Sequence, residues 1–248
     1  ATYPGLVAFG TLEFFGIWLN DTRDRPGEPQ IGRPPSVGHT TYGTYGTRLH
    51  GKDADSGMDW DFQAAIQDGD LAGDDLSAWA VRGGVGMTLD NDDGFAPRFG
   101  FEWNYATGDK DGGDGDADQF QVLFPTNHGY YGIHDLMAWS NTNSWSVNAG
   151  MKLSETVSMK AAYWRFKLDE DEGGWVGASG KLIRPGAKGA GTSLGHEVDL
   201  VVTWKQSERV TWQFGWAHFW NGAFARNTSP DGNASGSDFL YLQTLLTF

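Results

Sequence analysis

The chain has 248 residues, among them 36 Gly, 12 Trp and no Cys, and its formal net charge at pH 7 is -14. The absence of cysteine excludes a disulfide framework and a thiolate metal site. The acidic charge argues against nucleic acid as a partner, because phosphates are bound through an excess of Lys and Arg. No run of about 18 apolar residues occurs, so a transmembrane helix is excluded, but the alternating strands of a transmembrane barrel are not. Any export signal is expected to have been removed before Ala1.

The first half of the chain alternates apolar and polar residues at period two, which is typical of half-buried strands. In the clearest segment the residues Phe99, Phe101, Trp103 and Tyr105 share one side, and the other side carries both charge signs. An NDDG turn at 91–94 is expected to join this segment to the one before it. We predict strands at residues 5–18, 41–50, 59–67, 76–89 and 96–107.

The second half continues the same alternation up to the C-terminal Phe248. We predict strands at residues 144–152, 156–167, 196–205, 210–216 and 240–248, which brings the total to about ten. The connections between the strands alternate short and long. The long loops are near 19–38, 108–141, 168–192 and 223–237.

Alternating short and long connections are typical of bacterial outer-membrane barrels, which have short periplasmic turns and longer extracellular loops. Aromatic residues also cluster beside both kinds of connection, as two interfacial belts require. We therefore predict an all-β fold, an antiparallel transmembrane β-barrel, with residues 1–248 as a single domain. A soluble antiparallel sandwich or jelly roll is the structural alternative.

The polar sides of these strands carry charges of both signs, which in a barrel would face a solvated lumen. These side chains are expected to lie near opposite charges or water, because an unpaired charge in a narrow lumen is expensive. The predicted pore-lining residues are Arg48, Asp59, Asp61, Arg82, Arg98, Glu102, Lys152, Lys160, Glu197 and Asp199.

The long loop at 108–141 begins with carboxylates at nearly alternating positions, which is a pattern that can bind calcium through oxygen ligands. It lacks the glycine and the distal glutamate of an EF-hand at the proper offsets, so a solvated acidic loop is the alternative. No other cofactor is expected. The calcium candidates are Asp109, Asp111, Asp114, Asp116 and Asp118.

The remainder of this loop contains a distinctive phrase, DQFQVLFPTNHGYYGIHDLMAWSN at 118–141. His128, His134 and Asp135 are a possible metal site, but the interpretation we favour is that they attach the loop, or a plug inside the lumen, to the barrel wall by hydrogen bonds. The residues assigned to this loop or plug motif are Phe124, Pro125, His128, Tyr131, Gly132, His134 and Asp135.

Together with residues 194–224 and the terminal SDFLYLQTLLTF, this phrase resembles the alginate export family of outer-membrane β-barrel proteins, over residues 57–248. Members of that family usually have a barrel of about eighteen strands, so the resemblance implies a C-terminal portion or a shortened relative. It also implies export of a polysaccharide such as alginate through a lumen rich in arginine.

These observations predict an outer-membrane channel or porin, and not an enzyme, for export or passage of a polar, anionic solute such as a polysaccharide. The expected location is the bacterial outer membrane, and the expected partners are the lipid bilayer, lipopolysaccharide, the solute and other envelope or export proteins. Two alternatives remain open: an outer-membrane barrel hydrolase, and a soluble carbohydrate-binding sandwich.

Overall fold

The computed structural model describes residues 2–7, 10–21, 39–89, 94–124, 130–230 and 235–248. As the period-two alternation predicts, these residues are mostly β-strand, with one short helix, α1 (Ala223–Asn227). The strands are β1 (Thr2–Val7), β2 (Gly10–Asp21), β3 (Thr40–Lys52), β4 (Met58–Leu71), β5 (Asp74–Thr88), β6 (Arg98–Ala106), β7 (Asp116–Ala117), β8 (Thr142–Lys152), β9 (Val157–Lys167), β10 (Trp175–Val176), β11 (Leu182–Arg184), β12 (Ser193–Lys205), β13 (Val210–Asn221) and β14 (Ser237–Leu246).

The long strands form one continuous antiparallel sheet in the order β1-β2-β3-β4-β5-β6-β8-β9-β12-β13-β14. The short β7 adds to β5 in parallel, and β10 and β11 form a separate hairpin. Within the described residues, β1 pairs only with β2 and β14 only with β13, so the sheet has two free edges. The predicted all-β antiparallel architecture is confirmed, and the path has eleven strands where the sequence predicts about ten.

Two details of the strand prediction are wrong. Residues 5–18 are not one strand, because β1 and β2 pair as a hairpin; the intervening residues 8–9 carry no turn signal in the sequence. The alternation of short and long connections breaks between β4 and β5, which are joined by Ala72 and Gly73 alone. Both residues have positive φ, 55° and 97°, as the commonest two-residue hairpin turn requires. The acidic residues on either side of this tight turn therefore belong to β4 and β5 and not to a loop.

The predicted long loops contain small elements of their own. The loop near 168–192 holds the β10–β11 hairpin, that near 223–237 holds α1, and that near 108–141 holds β7. Most of the predicted turn at 91–94 lies outside the described residues, as do the larger part of the loop near 19–38 and residues 231–234. We call the edge of the sheet that carries these long connections the loop end, and the opposite edge the turn end.

The outer face of the sheet is apolar and uncovered by other described elements. Phe62 is 44% exposed, Phe101 46% and Phe214 43%, although each lies in the middle of its strand. Large apolar residues left exposed over so wide a surface indicate an apolar environment outside the protein.

The inner face is concave. Side chains from strands as far apart as β3 and β14, such as Lys52 and Tyr241, line the same cavity of about 910 Å³ near the turn end. Towards the loop end the concavity is filled by two apolar clusters. One packs Phe166 and Phe219 against Met137, and the other packs Leu76 against Phe120. Met137 and Phe120 belong to the connection between β6 and β8, so this connection folds into the concavity.

Candidate functional site

Six of the predicted pore-lining residues meet in ion pairs on the inner face of β3 to β6. The Arg48 guanidinium donates hydrogen bonds to both carboxylate oxygens of Asp61, at 2.9 and 2.6 Å. On the other side of Asp61, Arg82 Nη1 lies 3.1 Å from Oδ2, and Arg82 also donates to Glu102. Neighbouring strands therefore present alternating charges. The register places Arg48 and Arg82 in one row across the sheet and Asp61 and Glu102 two residues closer to the turn end, so the ion pairs between these strands are diagonal. We call Glu13, Arg48, Asp61, Arg82 and Glu102 the charge ladder.

A second ion pair lies closer to the turn end. Arg98 Nε and Nη2 donate to the carboxylate of Asp59 at 2.8 and 2.6 Å, and Nη1 donates to Asn148 Oδ1 at 3.0 Å. Arg98 is therefore fixed in a bidentate pair and an additional hydrogen bond, a geometry that only the planar guanidinium provides. Arg98, but not Asp59, reaches the large cavity.

Lys152 and Lys160, two of the predicted pore-lining residues, lie on neighbouring strands and line the same cavity. Neither ammonium group has an ion-pair partner in the part of the chain that the structure describes. Lys52 and Arg98 also line the cavity, and Asp199 is the single acidic residue of its described lining. The cavity therefore presents an excess of positive charge, although the whole chain is strongly acidic.

Glu197 and Asp199 face inward, but both side chains are buried, and of the two only Asp199 reaches the cavity. Their exposures are 0% and 5%, because residues 131–135 lie directly over them. The backbone N–H of His134 donates to Glu197 Oε1 at 3.1 Å. Gly132, with φ of 80°, passes so close to the Glu197 carboxylate that a Cβ at this position would collide with it. The expectation of a solvated position for this pair is therefore wrong, and the cause is the close approach that Gly132 allows.

The described residues 118–124 and 130–141, which we call the inner segment, contact the concave face at positions from β4 to β14. At the β4 side the Gln67 amide forms two hydrogen bonds with the backbone of Gln121, accepting from its N–H at 2.7 Å and donating to its carbonyl at 2.9 Å. At the β14 side His134 Nε2 lies 3.0 Å from Ser237 Oγ. The described part of the segment is thus attached at both sides by hydrogen bonds, and of the three residues to which the sequence analysis assigns this role, His134 makes such a bond to the wall.

Within the inner segment the aromatic residues have different environments. The Tyr130 ring lies over the Arg82 guanidinium at 4.6 Å, a cation–π contact. Tyr131 is buried, and burial raises the pKa of its hydroxyl well above the ordinary value. Phe124 is 73% exposed, whereas Pro125 and His128 lie outside the described residues. Asp135 has φ of 62°, and its carbonyl accepts the N–H of Ala178 from the 168–192 loop.

The acidic loop before the inner segment is ordered by its own carboxylates. Asp109 Oδ1 accepts the N–H of Asp111, and Asp114 Oδ1 accepts the N–H of Asp116. No group of three or more potential metal ligands occurs in the described residues. Calcium binding by Asp109, Asp111, Asp114, Asp116 and Asp118 stays a prediction.

A second acidic stretch, residues 169–172, packs beside this loop. Asp169 Oδ2 accepts the backbone N–H of Gly108 at 3.0 Å. Burial, and then the neighbouring charges of Asp169 and Asp171, raise the pKa of Glu170 above its ordinary value. The two acidic stretches therefore lie next to each other at the loop end.

Three residues of the site were missed by the sequence reasoning. Lys52 lies two residues beyond the predicted strand 41–50, and extending the period-two pattern would have found it. Gln67 ends the predicted strand 59–67 on its polar side, so its inward position had a signal, but its bond to Gln121 had none. Nothing in the sequence places Tyr130 over Arg82.

Comparison with known proteins gives a consistent classification. Among the described residues, no helix is long and apolar enough to cross a membrane. A family whose description is "Alginate export" matches residues 4–235, including the N-terminal strands that the motif resemblance did not cover. No curated protein sequence matches the chain.

Among solved structures, the chain is similar to the outer membrane protein OprD from Pseudomonas aeruginosa, with a TM-score of 0.55 and 13% sequence identity. The superposition covers 98% of this chain but 57% of that one, so the chain spans little more than half the length of this structural relative. At this identity the similarity concerns the fold alone.

Proposed function

The chain belongs to the alginate export family, and from that premise we propose that it forms the wall of an outer-membrane channel for an anionic solute such as a polysaccharide. The outer-membrane channel follows from the family and from the fold that the chain shares with OprD. The anionic solute is the more specific part of the proposal.

The observation that carries the choice of an anion is the positive lining of the large cavity. Lys152 and Lys160 project into it without carboxylate partners in the described residues, and Lys52 and Arg98 lie at the same end. Pore linings of one sign favour ions of the other sign. A polyanion would therefore meet three lysine ammonium groups, the Arg98 guanidinium that is already paired with Asp59, and one largely buried carboxylate, that of Asp199.

The charge ladder supports the same function in a different way. The carboxylates of the ladder neutralise its guanidinium groups. The ladder is therefore a polar, rigid surface without a large net charge. A solute that leaves the cavity would pass along this surface and under Tyr130, where the inner segment narrows the concavity. We propose that the inner segment is the constriction of the channel.

The topology bears on how the wall closes. Along an antiparallel path of eleven strands, β1 and β14 run in the same direction. Bacterial barrels of this kind are antiparallel with an even strand count, so direct pairing of β1 with β14 is disfavoured. We propose that an odd number of further strands completes the barrel, and about seven would give the eighteen that the family resemblance implies.

The orientation follows from the outer face. The apolar band around Phe62, Phe101 and Phe214 is suited to hydrocarbon, and a soluble sandwich would cover it with a second sheet. We place the loop end outside the cell, because long loops are extracellular in such barrels. The cationic cavity at the turn end then opens towards the periplasm.

Release from liposomes tests this function. Vesicles containing the protein are loaded with a uronic-acid oligomer or with a neutral glucose oligomer of equal length, and the release of each is followed. We expect faster release of the anionic oligomer. Release of neither oligomer would contradict the channel, and faster release of the neutral one would contradict the anionic solute.

A further inference from the structure

On the outer face of the described strands from β2 onward, charged side chains occur only near the loop end. Among the described outward positions of β2–β6, β8, β9 and β12–β14, the charged and histidine residues all lie within the last four residues of a strand at that end. They fall into two groups. Asp68, Asp70 and Asp75 are on β4 and β5; Arg165, Lys167, His196, His218 and Asp238 are on β9 to β14.

The second group is built around one row of the sheet. Direct cross-strand partners place Trp103 beside Trp145, Trp145 beside Arg165, Arg165 beside His196, and His196 beside Trp220. All five side chains point outward, since the row runs straight across the strands. Lys167 lies two residues further towards the loop end on the same face. We call Arg165, Lys167, His196 and Trp220 the basic patch.

The side chains of the patch are held in place. His196 stacks on Trp220 with a centroid distance of 4.9 Å, and His218 meets Trp220 edge-on at 4.2 Å. Arg165 Nη2 donates to Ser193 Oγ at 3.0 Å, and Nη1 lies 3.5 Å from the Gly195 carbonyl oxygen. Neither Arg165 nor Lys167 has a carboxylate partner in the described residues, and these bonds leave part of the five-donor guanidinium fork available.

This combination fits one kind of partner. Trp and Tyr rings at a membrane interface lie at the level of the lipid headgroups. Cations at that level attract anionic headgroups, and arginine binds phosphate in a bidentate fashion. An arginine whose guanidinium is simply hydrated would not need hydrogen bonds to its neighbours, whereas Arg165 has such bonds. The carboxylates of the acidic group on β4 and β5 would repel an anionic headgroup. Such a headgroup should therefore bind on the β9–β13 side of the wall.

We propose that the basic patch binds the phosphate groups of a glycolipid in the outer leaflet of the membrane. This inference rests on the proposed membrane orientation, because it requires the loop end to lie at the outer leaflet. The lipid would contact β9, β12 and β13, and its acyl chains would lie along the apolar band below Tyr163 and Val198.

Lipid-dependent stabilisation tests the proposal. The protein is folded in vesicles of neutral phosphatidylcholine, and its thermal unfolding is followed after addition of lipid A, dephosphorylated lipid A, or inorganic phosphate. The variant Arg165→Gln/Lys167→Gln is compared with Lys152→Gln/Lys160→Gln, which removes two cations from the inner face. We expect lipid A to raise the midpoint for the native protein and the inner-face variant. Each outer cation should contribute about fivefold to the affinity, so the outer variant should bind about 25-fold more weakly.

The outcomes separate this proposal from the channel function. Equal stabilisation of all three proteins by lipid A would overturn the basic patch while the vesicle insertion stands. Stabilisation by dephosphorylated lipid A or by inorganic phosphate to the same degree would overturn recognition of a lipid phosphate. Failure to insert into neutral vesicles at all would contradict the membrane wall itself, and the patch with it.

Discussion

The Arg82 guanidinium donates two hydrogen bonds to the Glu102 carboxylate, Nε to Oε1 at 3.2 Å and Nη2 to Oε2 at 2.8 Å. The two side chains are 12% and 15% exposed, so the pair is largely shielded from water. Removing one member of such a pair leaves the other charge without compensation, and this is more costly than the pair itself is stabilising.

Arg82→Gln should therefore lower the free energy of unfolding by about 3 kcal/mol. The matched control is Arg209→Gln on the exposed β12–β13 turn, which should change it by less than about 0.5 kcal/mol. Urea unfolding in lipid vesicles measures both. Equal stability of the two variants would show that the charge ladder does not support the wall.

The assignment of outer and inner faces predicts opposite tolerance at adjacent positions. Phe214 faces outward between Val202 and Leu242, whereas Gln213 faces the cavity and accepts a hydrogen bond from Tyr241 at 2.8 Å. Phe214→Arg should cost about 2–4 kcal/mol in a bilayer, and Gln213→Arg far less. The yield of refolded protein in vesicles reports the difference, and similar yields would mean that the faces are wrongly assigned.

Gly132 is predicted to control the position of the inner segment. A Cβ at Gly132 would collide with Glu197, whereas Gly189 has nearly the same φ, 79° against 80°, and open space around it. Both Gly→Ala changes should cost about 1–2 kcal/mol for the left-handed backbone. Of the two changes, only Gly132→Ala should displace the inner segment. The wider passage should raise the single-channel conductance. Unchanged conductance in Gly132→Ala would argue against the inner segment as the constriction.

Glu170 is predicted to make stability fall as the pH rises. Because burial and then Asp169 and Asp171 raise its pKa in the folded state, the folded protein binds more protons than the unfolded chain between the ordinary carboxyl pKa and the raised one. Glu170→Gln should therefore raise the melting temperature at pH 7 and have little effect at pH 3.5. The exposed Glu155 on the β8–β9 turn provides the control change, Glu155→Gln. A gain that is equal at both pH values would contradict this explanation.

The sequence predicts the wall better than it predicts the interior. The side of the strand to which Phe101, Glu102 and Phe214 point follows from period two alone, because neighbouring residues of a strand must face opposite ways. The hairpin between β1 and β2 was missed because residues 8–9 resemble strand residues. Period two also places Glu197 inward, but it gives no information on what covers it.

The interior depends on contacts between residues that are distant in the chain. Gln67 bonds to Gln121, and Glu197 to His134, across 54 and 63 residues, and no local pattern encodes such pairs. For the same reason the sequence predicts that Arg48, Arg82 and Arg98 lie near opposite charges or water, but it does not predict which carboxylate each one pairs with. Because these arginines are paired, we expect Lys152 and Lys160, which have no carboxylate partner among the described residues, to set the ion preference.

The most direct test of the central claim is the reversal potential of the channel in a planar bilayer under a KCl gradient. The native protein should be anion-selective. Lys152→Gln/Lys160→Gln should move the reversal potential towards that of a cation-selective pore, and the outer-face variant Arg165→Gln/Lys167→Gln should leave it unchanged. A cation-selective native channel, or an unchanged reversal potential in the Lys152→Gln/Lys160→Gln variant, would contradict an anion path along this cavity.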